Sequence, residues 1–334
     1  MISLEYIRSV LNNNDRKFLE NLAQEARLTT LKHFGNVISL YAPIYLSNYC
    51  DNQCTYCGFN QLRDVKRTKL SIDEMENEMA KVSSFGIQNI LLLTGESRIH
   101  SPFEYIKSSV IIAKKYFSSI NLEVFPMGID EYRELYELGV DGVTIYQETY
   151  DRERYKILHK KGPKRNYEFR RSTPERIAEA GMRTIGMGVL LGLSEIDKDI
   201  WHLFNHLKEM EREYPGVEYS LSFPRIIPIE TKETDLYIAD DITLIKLICL
   251  ARILFPTIGI NLSTRENQKL RDNALFLGVT RVSAASKTTV GGYDTNSEES
   301  PQFDVMDKRS VKEITELIRT KGFDPVFTDW RRKK

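Results

Sequence analysis

The chain alternates between two hydrophobic patterns. Short apolar or β-branched runs at 41–46, 88–93, 120–125, 142–146, 183–191, 218–223, 258–262 and 279–284 read as strands. Most are apolar nearly end to end, as parallel strands buried on both faces are. Charged segments with apolar residues at helical spacing lie between them, for example 72–84 and 173–180. A strand followed by a helix, repeated eight times, predicts an α/β fold with a parallel sheet inside and helices outside. Eight such units close a (β/α)8 TIM-type barrel, while an open doubly wound sheet is the alternative the alternation also allows. Residues 3–33 read as two helices, with Phe18, Leu19, Leu22, Ala23 and Ala26 at helical spacing and Ser3 and Asn14 as N-caps. The expected division is an N-terminal helical extension, 1–36, followed by a barrel domain, 37–334.

Composition narrows the class. The 334 residues suit one large domain, and 41% hydrophobic with 28% charged residues is an ordinary globular mixture. Lys+Arg and Asp+Glu are both 47, so net charge gives no reason to expect nucleic acid or a membrane surface as partner. No apolar run approaches the roughly 18 residues of a spanning helix. The start, Met1-Ile2-Ser3-Leu4-Glu5, is no signal peptide. Of four cysteines, three fall within positions 50–57, which argues for a metal in a reducing, cytoplasmic setting rather than for disulfides.

Those three, Cys50, Cys54 and Cys57, stand in a C-x₃-C-x₂-C spacing directly after the first strand. Thiolates are soft ligands that select iron–sulfur clusters, zinc or Cu(I). A structural zinc shell closes at four ligands, and neither a His nor another Cys follows nearby. A [4Fe–4S] cube held by three cysteines instead leaves one iron open. The bland alternative is a zinc loop completed by a distant residue. Cys249 lies in the apolar stretch Ile245-Lys246-Leu247-Ile248-Cys249-Leu250 and reads as buried packing.

The cysteine spacing, with Tyr56 just before the last cysteine, resembles the signature of radical S-adenosylmethionine enzymes. The wider string Leu46-Ser47-Asn48-Tyr49-Cys50 to Cys57-Gly58-Phe59 is similar to their tyrosine-lyase branch. That branch holds the 2-iminoacetate synthases of thiamine-thiazole biosynthesis and the tyrosine lyases of [FeFe]-hydrogenase maturation. The likeness runs from about Asn21 to Trp330.

The polar residues that interrupt apolar runs at the strand ends form a coherent rim, where a barrel carries its chemistry. Thr94-Gly95-Glu96 resembles the segment whose backbone takes the cofactor's methionyl amino group, against a plain turn as the alternative. Glu148, in Tyr146-Gln147-Glu148-Thr149-Tyr150, would by resemblance accept from the ribose hydroxyls; a surface helix cap is its bland reading. Arg170, before the helix start Ser172-Thr173-Pro174-Glu175, matches the arginine that forks onto the cofactor carboxylate, with Arg171 as rival. Gly188 to Glu195 fails the dinucleotide pattern, because position 191 is Leu. It resembles the G-x-I-x-G-x-x-E segment against adenine, with Gly188 and Gly192 as its glycines and Leu190 in place of Ile. Arg265, ending the seventh strand, suits an amino-acid carboxylate, unless it is an internal ion-pair partner of Glu266 or Asp272. Ser283, Ser286 and Arg225 are further substrate-pocket candidates. The five histidines form no cluster, and His33, His202 and His206 fall on predicted helices.

The resemblance implies a [4Fe–4S] cluster and S-adenosyl-L-methionine as cofactors. It implies cleavage of the Cα–Cβ bond of L-tyrosine to 2-iminoacetate and 4-methylphenol. A flavodoxin- or ferredoxin-type electron donor would serve it, and thiazole synthase is the implied partner. No cysteine follows Cys249, so release of cyanide and carbon monoxide is not expected. The chain starts later than the thiazole enzymes usually do, which leaves the docking to thiazole synthase less secure than the chemistry. A lyase of another aromatic amino acid, such as tryptophan, is the nearest alternative. A non-catalytic metal-binding adaptor is the alternative of another class, and it has no need of a polar rim.

Overall fold

The computed structural model describes residues 1–226, 236–294 and 301–328. The first half contains α1 (Leu4–Asn12), α2 (Arg16–Phe34), β1 (Val37–Ser47), α3 (Ile72–Ser83), β2 (Asn89–Thr94), α4 (Phe103–Ala113), β3 (Ser119–Glu123), α5 (Ile129–Leu138) and β4 (Gly142–Glu148). Then come α6 (Arg152–Leu158), a 3-10 turn (Pro163–Arg165), α7 (Tyr167–Arg171), α8 (Thr173–Glu179), β5 (Thr184–Val189), α9 (Ile196–Glu213) and β6 (Glu218–Ser222). The last third holds α10 (Asp241–Leu254), β7 (Gly259–Leu262), α11 (Gln268–Ala274), β8 (Arg281–Ser283), α12 (Val311–Thr320) and β9 (Asp324–Val326).

Every strand expected from the apolar runs is present. All neighbours pair parallel from β1 through β8, and β8 pairs back onto β1, so the sheet closes and the open-sheet alternative falls. The pleat decides what faces the inside. Leu91 and Leu93 of β2, Asn121 and Glu123 of β3, and Thr144 and Tyr146 of β4 line cavities within the barrel. Their neighbours Leu92, Leu122 and Val143 are buried on the outer face of the sheet. Tyr41, Leu91 and Tyr146 border both an upper chamber and a lower, polar cavity of about 360 Å³ that Ser39, Asn89, Asn121 and Asn261 help to line.

Two features depart from the expectation. The short strand β9 pairs with Val37–Ser39, the part of β1 that extends ahead of its β2 partners, which begin at Ala42↔Ile90. Asp15 rather than Asn14 caps α2: its side chain accepts the Phe18 N–H at 2.9 Å. The Asn13 side chain accepts the Asp15 N–H at 2.9 Å and so sets the helix start one residue later. Asn14 and the Leu11 carbonyl instead accept from the buried Lys246 ammonium, at 2.8 and 2.6 Å, which fastens the N-terminal helices to α10. Ser3 caps α1 as expected. Among the described residues no helix is long and apolar enough to cross a membrane.

Arg252 ties the back of the barrel together. It is fully buried on α10 and donates to the carbonyls of Pro256, Ile258 and Gly278 at 2.8–2.9 Å, with its guanidinium 4.5 Å from the Phe34 ring centroid. Burial brings its pKa down to about 10. Arg252→Met keeps much of the volume but strands three buried acceptors. Denaturant unfolding should show a loss of about 2–4 kcal/mol with iron content per folded chain unchanged; a loss well under 1 kcal/mol would mean that water replaces the guanidinium.

Candidate active site

The loop after β1 leaves the barrel through a register slip between Tyr45 and Ser47, a bulge that turns the chain over the rim. Its fold is held by polar side chains. Asn48 donates to the Lys66 carbonyl at 2.8 Å and accepts the Thr68 N–H at 2.7 Å. Arg67 forks back into the loop, donating to the carbonyls of Asn48, Phe59 and Asn60 at 2.6–2.9 Å. On the other side, the amides of Gln53 and Thr55 donate to the carbonyls of Lys161 and Leu158 at 2.9 and 3.1 Å. Cys50, Cys54 and Cys57 thereby reach one cavity of about 80 Å³, walled by Gly95, Glu96, Glu148, Lys164 and Arg170. Burial, and for Cys50 the nearby Glu96, pushes the free thiols up, Cys50 to about 11. A metal cation is what would hold them as thiolates.

Among the described residues no three Cys, His, Asp or Glu side chains are gathered as the shell of a single metal ion. A zinc site needs four such ligands around one ion. An iron–sulfur cube takes each sulfur on a different iron, and three thiols on one loop with no fourth fit that donor set. Tyr56 is fixed beneath the loop. His159 Nδ1 lies 2.7 Å from the Tyr155 carbonyl, so it carries the ring proton, and Nε2 accepts from the Tyr56 hydroxyl at 2.8 Å. Burial and the neighbouring Lys164 keep that imidazole neutral, with its pKa down at about 3.

Facing the cysteines is a buried ionic quartet. Lys164 Nζ is 2.6 Å from Glu148 and 3.9 Å from Glu96, and Arg170 is 2.8 Å from Glu96 and 3.6 Å from Glu148. Arg170 also donates to the Tyr146 carbonyl at 2.7 Å, and Asn52 to Glu96 at 2.9 Å. Glu148 is brought there by a second bulge: β4 slips against β5 between Tyr146 and Glu148, whose φ is 70°. That left-handed backbone is unfavourable for a non-glycine residue and aims the carboxylate into the cavity. Burial would raise the Glu96 carboxyl, but Arg170 and Lys164 bring it below its ordinary value. Burial and Arg170 would lower Lys164, but Glu148 and Glu96 hold it above.

Beside this cavity, and sharing Cys57, Glu123, Tyr146, Glu148, Lys164 and Gln302 with it, is a chamber of about 150 Å³ inside the barrel mouth. Tyr41, Pro43, Leu91 and Leu93 give it an apolar floor and wall. Arg265 enters it with its guanidinium 3.7 Å from the Phe303 ring centroid. Neither Arg265 Nε nor the Oγ of Ser286 has a partner, although both are buried. Buried polar atoms left open in a cavity mark where a ligand would complete the bonding.

Several sequence expectations find their place here. Arg170, not Arg171, reaches the cavity; Arg171 pairs outward with Glu175 at 2.9 Å and Glu209 at 3.5 Å. The ion-pair alternative for Arg265 fails, because Glu266 pairs with Arg225 and Asp272 with Arg309. Arg225 is accordingly a correction. Its guanidinium is spent on Glu266, on Asp241 at 2.9 Å and on the Ala239 carbonyl at 3.0 Å, and it does not line the chamber. Gly188 and Gly192 also miss the cofactor cavity. A Cβ on Gly188 would lie 2.4 Å from the Ser222 carbonyl oxygen and 2.8 Å from the Tyr146 ring; Gly192 has φ of 111° against Ile226. That segment reaches the cysteine loop through Leu190 and Leu193, which pack with Cys54, Tyr56 and Ile226. Gly95 is required by close approach: a Cβ there would stand 2.3 Å from the Tyr49 carbonyl oxygen. At the helix start foreseen there, the Ser172 hydroxyl makes no cap to α8 and donates to the Glu168 carbonyl at 2.8 Å. Ser283 lines the chamber and accepts the Thr264 N–H at 3.0 Å. Trp330 and the basic tail lie outside the described residues.

Lys164, Glu123, His159, Gln302 and Phe303 were not legible as site residues. Lys164 sits in the basic run Lys160-Lys161-Gly162-Pro163-Lys164-Arg165, which resembles a solvated turn. Glu123 did carry a signal, as the one carboxylate in the third strand's run.

A closed parallel barrel with three thiols at its rim and a charged cavity beside them defines a class. Residues 44–207 match the model of the Radical SAM superfamily, and residues 222–324 that of the Biotin and Thiamin Synthesis associated domain. The chain is 39% identical over 314 residues to the 2-iminoacetate synthase of Escherichia coli (strain K12), covering 94% of this chain and 83% of that one. It is 37% identical over 330 residues to that of Salmonella typhimurium, covering 98% and 88%. The structure of the [FeFe]-hydrogenase maturase HydG from Carboxydothermus hydrogenoformans superposes with a TM-score of 0.91 at 32% identity, over 98% of this chain and 76% of that one. The chain belongs to the radical S-adenosylmethionine superfamily, in the family of the 2-iminoacetate synthases. Its cofactors are a [4Fe–4S] cluster and S-adenosyl-L-methionine.

Anaerobic reconstitution should separate the cysteines by role. Cys57→Ala should bind iron poorly, whereas Cys249→Ala should keep full iron content, because Cys249 is wholly buried in α10. Loss of iron in the Cys249 variant would place a fourth ligand where the fold has only packing.

Proposed function

We propose that this chain cleaves the Cα–Cβ bond of L-tyrosine, giving 2-iminoacetate and 4-methylphenol. The observation that carries the reading is Arg265, a guanidinium without an ion-pair partner among the described residues, in a chamber that shares a wall with the cofactor cavity. A forked donor of this kind suits the carboxylate of an amino acid. The apolar floor of Tyr41, Pro43 and Leu91 suits an aromatic side chain. The 2-iminoacetate synthases at 37–39% identity support the same reaction.

Cys50, Cys54 and Cys57 would hold the cluster, and Glu148, Glu96, Arg170 and Lys164 the polar groups of S-adenosylmethionine. Bound there and given one electron, that cofactor supplies a 5′-deoxyadenosyl radical able to take a hydrogen atom from the substrate's amino group. The chain's own part is position and exclusion of water. Arg265 holds the carboxylate, the Ser286 hydroxyl offers a further bond, and Gln302, accepting from the Tyr45 hydroxyl at 2.6 Å, helps to close the mouth. A flavodoxin- or ferredoxin-type protein would supply the electron, and thiazole synthase would take the product.

Incubation with reductant and S-adenosylmethionine should give 4-methylphenol from tyrosine and no aromatic product from tryptophan; the reverse would make this a tryptophan enzyme. Arg265→Lys keeps the charge but loses the fork. It should still form 5′-deoxyadenosine, with 4-methylphenol reduced about tenfold or more, in line with the loss of one charge-assisted bond. Joint loss of cluster, thermal stability and cofactor cleavage would show Arg265 to be structural.

A further inference from the structure

The third strand ends on a carboxylate that no function yet uses. Glu123 points into the barrel, since its pleat partner Asn121 lines the lower cavity and Leu122 between them is fully buried on the outer face. Three charged groups border both the cofactor cavity and the substrate chamber: Glu123, Glu148 and Lys164. Glu148 and Lys164 satisfy each other at 2.6 Å. Its backbone pairs with Leu93 of β2, but the Glu123 carboxylate has no hydrogen bond or ion pair among the described residues.

We infer that Glu123 receives the α-ammonium group of the amino-acid substrate and holds its nitrogen at the boundary of the two cavities. The inference rests on the tyrosine reading above and adds the second half of substrate recognition to it. β3 and β7 stand four strands apart in a ring of eight, so Glu123 and Arg265 face the chamber from opposite walls. An α-amino acid carries one negative and one positive group on a single carbon, and beside the Glu148–Lys164 pair this chamber presents one unpaired cation and one unpaired anion for them. With the carboxylate on Arg265 and the nitrogen toward Glu123, the amino group lies on the cofactor side, where its hydrogen must be taken. The ring is then left to the apolar floor.

The electrostatics fit a site waiting for a cation. Burial, with Glu148 adding to it, raises the Glu123 carboxyl to about 7, while Lys164, Arg170 and Arg265 oppose the rise. The other groups facing it are phenols, Tyr41, Tyr45 and Tyr146, all held protonated by their burial. A carboxylate left in such surroundings gains most from a charged hydrogen-bond donor.

The test is a binding series on the reconstituted holoenzyme with S-adenosylmethionine and no reductant. The probes are L-tyrosine, L-phenylalanine and 3-(4-hydroxyphenyl)propionate, which lack respectively nothing, the phenol hydroxyl and the amino group. Glu123→Gln should weaken tyrosine and phenylalanine about tenfold or more, and the propionate less than about twofold. Glu123→Asp should recover part of the tyrosine affinity. Iron content and melting temperature are measured on both variants; Glu123→Gln is close to isosteric, while Glu123→Asp keeps the charge on a side chain one methylene shorter. Unchanged tyrosine affinity overturns the inference, and so does equal loss for all three probes. A loss confined to the two phenols would place Glu123 on the ring hydroxyl, which also overturns it. Wild-type chain that binds no tyrosine and forms no 4-methylphenol overturns the tyrosine reading as well; normal wild-type turnover with an insensitive Glu123→Gln overturns this inference alone.

Discussion

Two carboxylates and two cations lie together at the carboxyl ends of β2 and β4, with side chains only 5–13% exposed. Breaking one such buried pair costs several kcal/mol, because the remaining charge loses its partner. Glu96, Glu148, Lys164 and Arg170 therefore have to be assembled as a set, and much of the site's backbone serves that end. The bulge that gives Glu148 its φ of 70° turns its carboxylate inward, and the 3-10 turn at Pro163–Arg165 delivers Lys164. Asn52 accepts the Lys164 amide N–H at 2.8 Å and donates to Glu96, so the cysteine loop and the quartet hold each other. A charge-balanced quartet is suited to a cofactor that carries both signs, since carboxylates and cations are offered from one rigid frame.

The same constraint separates the two halves of the site. The four charges of the quartet satisfy one another, whereas Arg265 in the far chamber and Glu123 at the boundary have no ion-pair partner among the described residues. The fold achieves this by engaging Arg225 with Glu266 and Asp241 and by giving Asp272 to Arg309, which leaves Arg265 free to stack on Phe303. A cofactor site in balance and a substrate site left incomplete suit an order in which the amino acid completes the assembly.

The eight barrel strands were legible because each is an apolar run bounded by turn residues, the pattern that burial on both faces demands. The cysteine loop, Glu148 and Arg265 were legible because each interrupts such a run at its carboxyl end, whereas Arg170, on α7, was legible only through the family resemblance. What escaped depends on tertiary geometry. β9 contains Pro325 and exists because β1 overhangs its neighbour. Lys164 looks like one more solvated lysine until the turn at Gly162 places it against Asn52. Arg265 was the stronger candidate in sequence and Arg225 the weaker, and the position of Glu266 bears that order out by taking Arg225. Gly188 has the spacing of a cofactor glycine but serves to admit the Tyr146 ring.

An anaerobic crystal structure of the reconstituted protein with S-adenosylmethionine and tyrosine would examine this division of charge directly. The tyrosine carboxylate should lie on Arg265, with the amino nitrogen within hydrogen-bond distance of Glu123 and facing the cofactor, and with Glu96, Glu148, Lys164 and Arg170 around S-adenosylmethionine. A tyrosine held with its carboxylate away from Arg265, or lying outside the barrel, would contradict it.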